Sequence, residues 1–119
     1  MSGRLNPFEC ASGLEVISLV RAMLSEEISK WTQPEKVAGE MLLRALADVV
    51  DDYKATEAPG MLDFSVFYDW VGDIPGLLNT SWLSDAARDS LTLAYEEAKA
   101  VNIIASLRIN GLLPFARQH

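Results

Sequence analysis

The sequence predicts an all-α protein, a compact bundle of about four helices with a long C-terminal helix. Three observations predict this class. Apolar residues recur at three- and four-residue steps in the longer segments, which is the spacing of one helical face. Two of these segments begin with a helix-capping signature. Half of the 119 residues are hydrophobic, which is enough for a single core.

The first predicted helix follows an irregular N-terminal lead, residues 1–11. Ser12 and Glu15 form a capping box, in which each side chain accepts a hydrogen bond from the other residue's backbone N–H. The helix is expected to run to about Trp31. Its apolar face consists of Val16, Val20, Met23, Leu24, Ile28 and Trp31.

The second predicted helix begins with the same signature at Thr32 and Glu35, and Pro34 lies in its first turn, where a missing N–H costs nothing. It is expected to run to about Lys54. Gly39 inside this helix costs about 1 kcal/mol relative to alanine, which a close helix–helix approach would compensate. The broad apolar face consists of Val37, Met41, Leu42, Ala45, Leu46, Val49, Val50 and Tyr53.

Residues 63–71 are open to two interpretations. Their aromatic and β-branched content suits a strand. Asp63, however, is a good N-cap, and Phe64, Phe67, Tyr68 and Val71 share a helical face. Because no second strand candidate lies nearby to pair with this segment, we predict a short helix.

The last predicted helix begins near Ser81 or Ser84 and runs to about Ile109. Asn110-Gly111 then provides a left-handed stop, with Pro114 just beyond. The helix is apolar on two sides, so it is either central to the bundle or covered on one side by a partner. One stripe consists of Ala87, Leu91, Ala94, Ala98, Val101 and Ala105, and the other of Leu93, Ala100, Ile104 and Leu107. This surplus, together with the apolar residues 112–115 of the C-terminal tail (residues 112–119), predicts a homodimer of a single-domain chain, residues 1–119.

Net charge and cysteine usage limit the partners and the compartment. The formal net charge of −7 argues against direct binding to nucleic acid and to anionic membranes, and it favours a basic protein partner. Cys10 is the single cysteine, so no intrachain disulfide can form and a reducing compartment is favoured. No stretch approaches the length of a transmembrane span. We therefore expect a cytoplasmic protein.

Residues suited to catalysis are few. His119 is the last residue, a poor position for an oriented base, and Cys10 has no histidine partner nearby in the sequence. The best candidates are Asp48 and Asp52, which lie one helical turn apart and suit a shared magnesium ion. A solvated helix face near a C-terminus is the preferred interpretation of these two residues, and no phosphate-binding motif accompanies them. We expect no catalytic, cofactor-binding or metal-binding residue, and hence no enzyme.

Two segments resemble interaction surfaces. Residues 48–73 hold seven carboxylates and one lysine, a net charge of −6, together with several aromatic residues. Aromatic residues dominate binding hot spots, and carboxylates around them steer a basic partner. The apolar tail is the second segment, since such residues must pack onto the body or onto a partner. The predicted anchors are Phe67, Trp70, Leu112, Leu113 and Phe115, and the predicted steering residues are Asp48, Asp51 and Asp52.

In size, acidity, helical build and apolar segments such as residues 112–115, the chain resembles small bacterial antiactivators of the QslA type. Proteins of that type bind the ligand-binding domain of a LuxR-type transcription factor and block its dimerisation. The resemblance implies a non-catalytic regulator that inhibits another protein in quorum sensing. It identifies no individual functional residue.

Two alternatives stay open at this point. The clustered carboxylates are compatible with a phage anti-defence protein that mimics nucleic acid, although −7 is a modest charge for a mimic. A small metal-dependent enzyme using Asp48 and Asp52 is the other. Salt separates a mimic from an apolar interface, because only the mimic loses binding steeply as ionic strength rises.

Overall fold

The structure, a computed structural model, describes residues 12–56 and 62–116. Every regular element in these residues is helical, so the all-α prediction is confirmed. Four of the described α-helices have nine residues or more, in agreement with the predicted number. The expectations for the lead, residues 1–11 with Cys10 among them, and for His119 concern residues outside the described ranges.

The first predicted helix is present but divided in two. Helix α1 spans Gly13–Met23 and helix α2 spans Ser25–Ser29. The predicted capping box begins α1: the Glu15 N–H donates to Ser12 Oγ at 3.2 Å, and the Ser12 N–H donates to Glu15 Oε1 at 3.0 Å. A continuous helix to Trp31 is wrong, because Leu24 takes φ −93° and ψ 5°, outside the helical region, while its side chain stays buried.

Helix α3 (Gln33–Lys54) begins at the second predicted capping box and is the longest described helix. Helix α1 packs against it so closely that a Cβ at Gly13 would lie 1.9 Å from the Ala47 carbonyl oxygen. A close approach also exists at Gly39, as suspected, but its partner is a side chain. A Cβ there would lie 2.4 Å from Cζ3 of Trp31.

The ambiguous segment is a helix, α4 (Phe64–Gly72), and Asp63 is its N-cap, since Asp63 Oδ1 accepts from the Val66 N–H at 3.1 Å. A short helix, α5 (Ile74–Leu78), follows directly. The loop after α5 is held by Arg88, whose guanidinium donates to the Leu78 and Thr80 carbonyls, each at 2.9 Å. Because Phe64–Gly72 is helical, the strand interpretation of residues 63–71 is excluded.

The predicted long C-terminal helix is shorter than expected. Helix α6 (Asp85–Ala100) begins at the Ser84 N-cap but ends nine residues before Ile109, because Asn102 adopts a left-handed conformation with φ 59°. The chain continues as a π-helical segment, Ser106–Leu112, and helix α7 (Leu113–Ala116). Asn110 and Gly111 lie inside the π-helical segment rather than at a stop.

Helix α3 is the centre of the molecule and packs against α1 on one side and α6 on the other. Both run antiparallel to it: Gly13 and Ser84 lie near its C-terminal end, and Arg21 lies near Glu40 in its first half. Helix α4 packs against the π-helical segment and α7. The buried side chains of the described residues form one hydrophobic cluster that includes residues from α1, α3, α4, α5, α6 and the π-helical segment.

Candidate interaction surface on the central helix

Two of the predicted anchors are core residues. Phe67 on α4 and Leu112 at the end of the π-helical segment are both 0% exposed. They are buried because the face of α4 on which Phe67 lies, and the residues around Leu112, turn toward the shared core. In this conformation neither side chain is available to a partner, so the anchor role predicted for these two residues needs correction.

The other three predicted anchors, Trp70, Leu113 and Phe115, are partly exposed. Trp70 lies in an aromatic cluster on the body of the protein, with its ring centroid 5.4 Å from that of Tyr53 and 6.0 Å from that of Trp82. Phe115 packs on Phe64 with a centroid distance of 5.9 Å. These rings already have intramolecular partners, so their exposed edges offer limited contact area.

Two of the three predicted steering residues make specific hydrogen bonds within the chain. Asp51 Oδ1 accepts from the backbone N–H of Gly13 at 2.7 Å, and Asp52 Oδ2 accepts from the backbone N–H of Ser84 at 2.9 Å. Each carboxylate therefore lies at the N-terminal end of a helix that flanks α3, where the helix dipole favours negative charge. Asp48, by contrast, is exposed and accepts no such hydrogen bond from the described residues.

The magnesium hypothesis gains no support from the geometry. Asp52 is engaged with the start of α6, and Asp48 is one turn away on the exposed side of α3. Among the residues that the structure describes, no group of three or more His, Cys, Asp or Glu side chains is placed to hold a metal ion.

The exposed side of α3 forms a continuous ridge. We define the α3 ridge as Val37, Met41, Arg44 and Asp48, which follow one another at steps of four, three and four residues and therefore share a helical face. Val37 is 53% exposed and Met41 is 38% exposed. Two apolar side chains thus stand on the surface of the most buried helix.

A groove runs along each side of the α3 ridge. The α1-side groove has a volume of about 460 Å³ and the α6-side groove about 270 Å³, and both include Met41 and Arg44 in their walls. On the α6 side the wall also contains Leu93, which is 66% exposed. The α1 side includes Trp31, Ile28 and Arg21. Met41 and Leu93 line the same groove, and Val37 lies one helical turn before Met41; we refer to these three exposed side chains as the exposed apolar area.

An ion pair fixes the wall of the α1-side groove. The Arg21 guanidinium makes two contacts with the Glu40 carboxylate, and Nε donates to Oε1 at 2.9 Å. A bidentate pair of this kind restricts both side chains, even though both are partly exposed. With Lys36, Arg44 and Asp48, the charges around the α3 ridge give a local net charge of +1, whereas the whole chain carries −7.

Sequence reasoning placed the residues of this surface on helical faces but did not identify the surface. Val37 and Met41 belong to the broad apolar face predicted for the second helix, and Leu93 belongs to the second stripe predicted for the last one. The signal was the excess width of those apolar faces. Periodicity alone does not say which edge of a wide face stays uncovered.

Comparisons with known proteins add no relative: no protein-family model, no curated protein and no solved structure matches the chain.

Within residues 12–56 and 62–116, no helix combines the length and apolar character that crossing a membrane requires. The class that the fold and the surface define is a small all-α protein with an exposed, mixed apolar and charged ridge on its central helix.

Proposed function

We propose that this protein is a non-catalytic regulator that binds another protein through the α3 ridge and its two grooves, and so inhibits that protein. The observation that carries the proposal is the exposed apolar area formed by Val37, Met41 and Leu93. Apolar side chains grouped on a surface and surrounded by polar residues are typical of protein-binding sites.

Relative energies favour these residues over the acidic cluster as the source of affinity. An exposed ion pair contributes roughly 0–1 kcal/mol, whereas burying a leucine or methionine side chain contributes about 1.5–3 kcal/mol. Asp51 and Asp52 are also engaged within the chain. We therefore assign the contact area to the α3 ridge and give Asp48, Lys36 and Arg44 the role of orienting the partner.

The partner class is taken from the sequence resemblance. Following that resemblance, the proposed partner is the ligand-binding domain of a LuxR-type transcription factor, and the proposed effect is to block its dimerisation. The proposal places this regulator in the cytoplasm, as the single cysteine favours. It includes a homodimer of the free protein, and the apolar surface now available for that dimer is the α3 ridge.

The test uses the purified chain and the ligand-binding domain of a LuxR-type regulator from the source organism. Calorimetry is expected to give a complex, and light scattering is expected to show the regulator domain leaving its dimer. Leu93→Gln should weaken the complex about tenfold or more, because the variant loses an apolar side chain that is 66% exposed in the free protein and becomes buried in the complex.

Leu14 provides the matched control. It is 63% exposed, close to the value for Leu93, and it lines neither groove. Leu14→Gln should leave the affinity unchanged. Equal losses in the two variants would argue against the α3 surface, and no complex with any LuxR-type domain would argue against the partner class.

A further inference from the structure

We propose that two copies of the chain pair through their α3 ridges. The two α3 helices run antiparallel, and a two-fold axis lies between them at the level midway between Glu40 and Arg44. This inference rests on the proposed function in one respect, namely that the same surface then serves both the second copy and the partner. The self-pairing itself follows from the charges and exposed side chains of this one chain.

The charge sequence along α3 is self-complementary. Lys36, Glu40, Arg44 and Asp48 alternate in sign at steps of four residues, positive, negative, positive and negative. When the α3 helix of a second copy runs in the reverse direction about the point midway between Glu40 and Arg44, every charge lies at the level of a charge of the opposite sign on the other copy. Glu40 then faces Arg44 of the second copy, and Lys36 comes to the level of the second copy's Asp48. A two-fold interface uses each pair twice.

The grooves fit the same arrangement. An axis perpendicular to the plane of two antiparallel helices brings like sides together, so the α6-side groove of one copy lies beside the α6-side groove of the other. Met41 is one residue from the axis level and Leu93 lines the same groove, so four apolar side chains meet on that side. The Glu40 and Arg44 pairs lie toward the α1 side, where Arg21 already orients Glu40.

Net charge points to this surface as the place where two copies can meet. Two chains of charge −7 repel one another, and this repulsion acts against contacts through acidic surface. The α3 ridge and its neighbouring charges carry a local net charge of +1, and they surround exposed apolar side chains. Pairing there covers the exposed side chains of Met41 and Leu93.

Self-pairing has a regulatory consequence under the proposed function. The dimer covers Met41 and Leu93, the residues assigned to the partner, so partner binding requires dissociation. The amount of free inhibitor then rises less than in proportion to total chain, because the dimer fraction grows with concentration.

The experiment uses the full chain alone, so it is independent of any partner. In sedimentation equilibrium the average mass of the wild type should rise from one towards two chain masses as the concentration is raised to about 1 mM. Arg44→Glu and Glu40→Arg should each raise the dimer dissociation constant at least tenfold, since each places like charges opposite one another twice. An equimolar mixture of the two variants should restore a heterodimer, because each variant then faces its complement.

Asp69→Lys is the control, since Asp69 is an exposed carboxylate on α4 and outside the ridge. It changes net charge as a ridge reversal does and should not weaken the dimer. Because Glu40→Arg also loses the Arg21 pair, Lys36→Asp and Asp48→Lys form a second complementary set, and thermal unfolding confirms that each variant folds.

Three results would overturn the pairing: a wild-type monomer throughout, a dimer insensitive to both variant sets, or variants that dissociate but fail to recover on mixing. These results bear on the homodimer alone and leave the proposed inhibition of a partner untouched, because the partner experiment has its own readout. A complex with a LuxR-type domain from a strictly monomeric chain would retain the function and reject the pairing. A ridge-paired dimer without any such complex would do the reverse.

Discussion

The carboxylate of Asp51, in the last turn of α3, accepts a hydrogen bond from the backbone N–H of Gly13, the first residue of α1, at 2.7 Å. Asp52 does the same for Ser84 at the start of α6, at 2.9 Å. Two adjacent residues on the central helix thereby hold the beginnings of both flanking helices. Carboxylates at a helix C-terminus are unfavourable for that helix, and the N-termini of α1 and α6 offset this cost.

Removing either carboxylate should therefore lower stability rather than slow association. We expect Asp51→Ala and Asp52→Ala each to lower the free energy of unfolding by about 1–2 kcal/mol, as for a lost helix cap or charged hydrogen bond. Urea denaturation followed by circular dichroism measures this. Asp48 lies on the same helix but holds neither helix N-terminus, so Asp48→Ala should change stability by less than about 0.5 kcal/mol. Equal, negligible effects at all three positions would mean that the acidic residues are only solvated surface.

The crossing of α1 and α3 depends on the missing side chain at Gly13. Alanine there would put a Cβ 1.9 Å from the Ala47 carbonyl oxygen, and backbone cannot move aside as a side chain can. Gly13→Ala should cost about 2 kcal/mol or more, although alanine is otherwise the better helix former. Thermal unfolding of the variant against the wild type tests this.

Gly72 provides the comparison for Gly13. A Cβ at Gly72 would lie 2.5 Å from Nε of Arg108, which is near the far end of a flexible side chain. Gly72→Ala should be close to neutral, because the higher helix propensity of alanine offsets the displacement of Arg108 from the Tyr68 ring. If Gly72→Ala is as damaging as Gly13→Ala, the close packing of α1 on α3 is not what sets the cost.

Substitutions at Asn102 and Asn110 test which of these two asparagines terminates α6. Asn102 has φ 59°, a conformation that costs roughly 1–2 kcal/mol for most L-residues, less for asparagine and least for glycine. We expect Asn102→Ala to destabilise the protein by about 1 kcal/mol and Asn102→Gly to be neutral or stabilising. Asn110→Ala, inside the π-helical segment, should have little effect. The melting temperatures of the three variants decide between the two positions.

Local signals in the sequence were sufficient to predict where the four longer helices begin. Ser12, Thr32, Asp63 and Ser84 all have the predicted capping role, because a cap involves only residues three positions apart. Helix ends were harder to predict. Both Asn102 and Asn110 tolerate a left-handed conformation, and the choice depends on how Ile103, Leu107 and Leu112 pack into the core.

The position of the candidate surface could not be predicted from the periodicity of apolar residues, because periodicity does not show which helical faces pack against one another. Phe67 and Trp70 are both aromatic residues of α4, yet one is fully buried and the other is partly exposed, because burial depends on which side of α4 faces the shared core. Val37 and Leu93 likewise lie on apolar faces, but no other element in the described residues covers them. The role of the clustered carboxylates was also hidden from the sequence. Asp51 and Asp52 accept hydrogen bonds from backbone N–H groups that lie more than thirty residues away in the sequence.

The capping box at the start of α1 makes a prediction about pH. The hydrogen bond from the Ser12 backbone N–H, and then that with the Ser12 side chain, lower the pKa of the Glu15 carboxyl below its ordinary value. A lowered pKa in the folded state means that the ionised carboxylate stabilises the fold above the pKa of the unfolded chain. That contribution is lost as the pH falls through the lower, folded-state value.

Glu15→Gln keeps an acceptor but does not titrate, so the stability difference between wild type and variant should be constant near neutral pH and should shrink below about pH 4.3. Denaturation curves measured at a series of pH values, with the same buffer ionic strength, give this difference directly. A difference that stays constant from neutral to acidic pH would mean that the carboxylate charge contributes nothing to the cap, and that the Ser12 hydroxyl alone supports the first turn of α1.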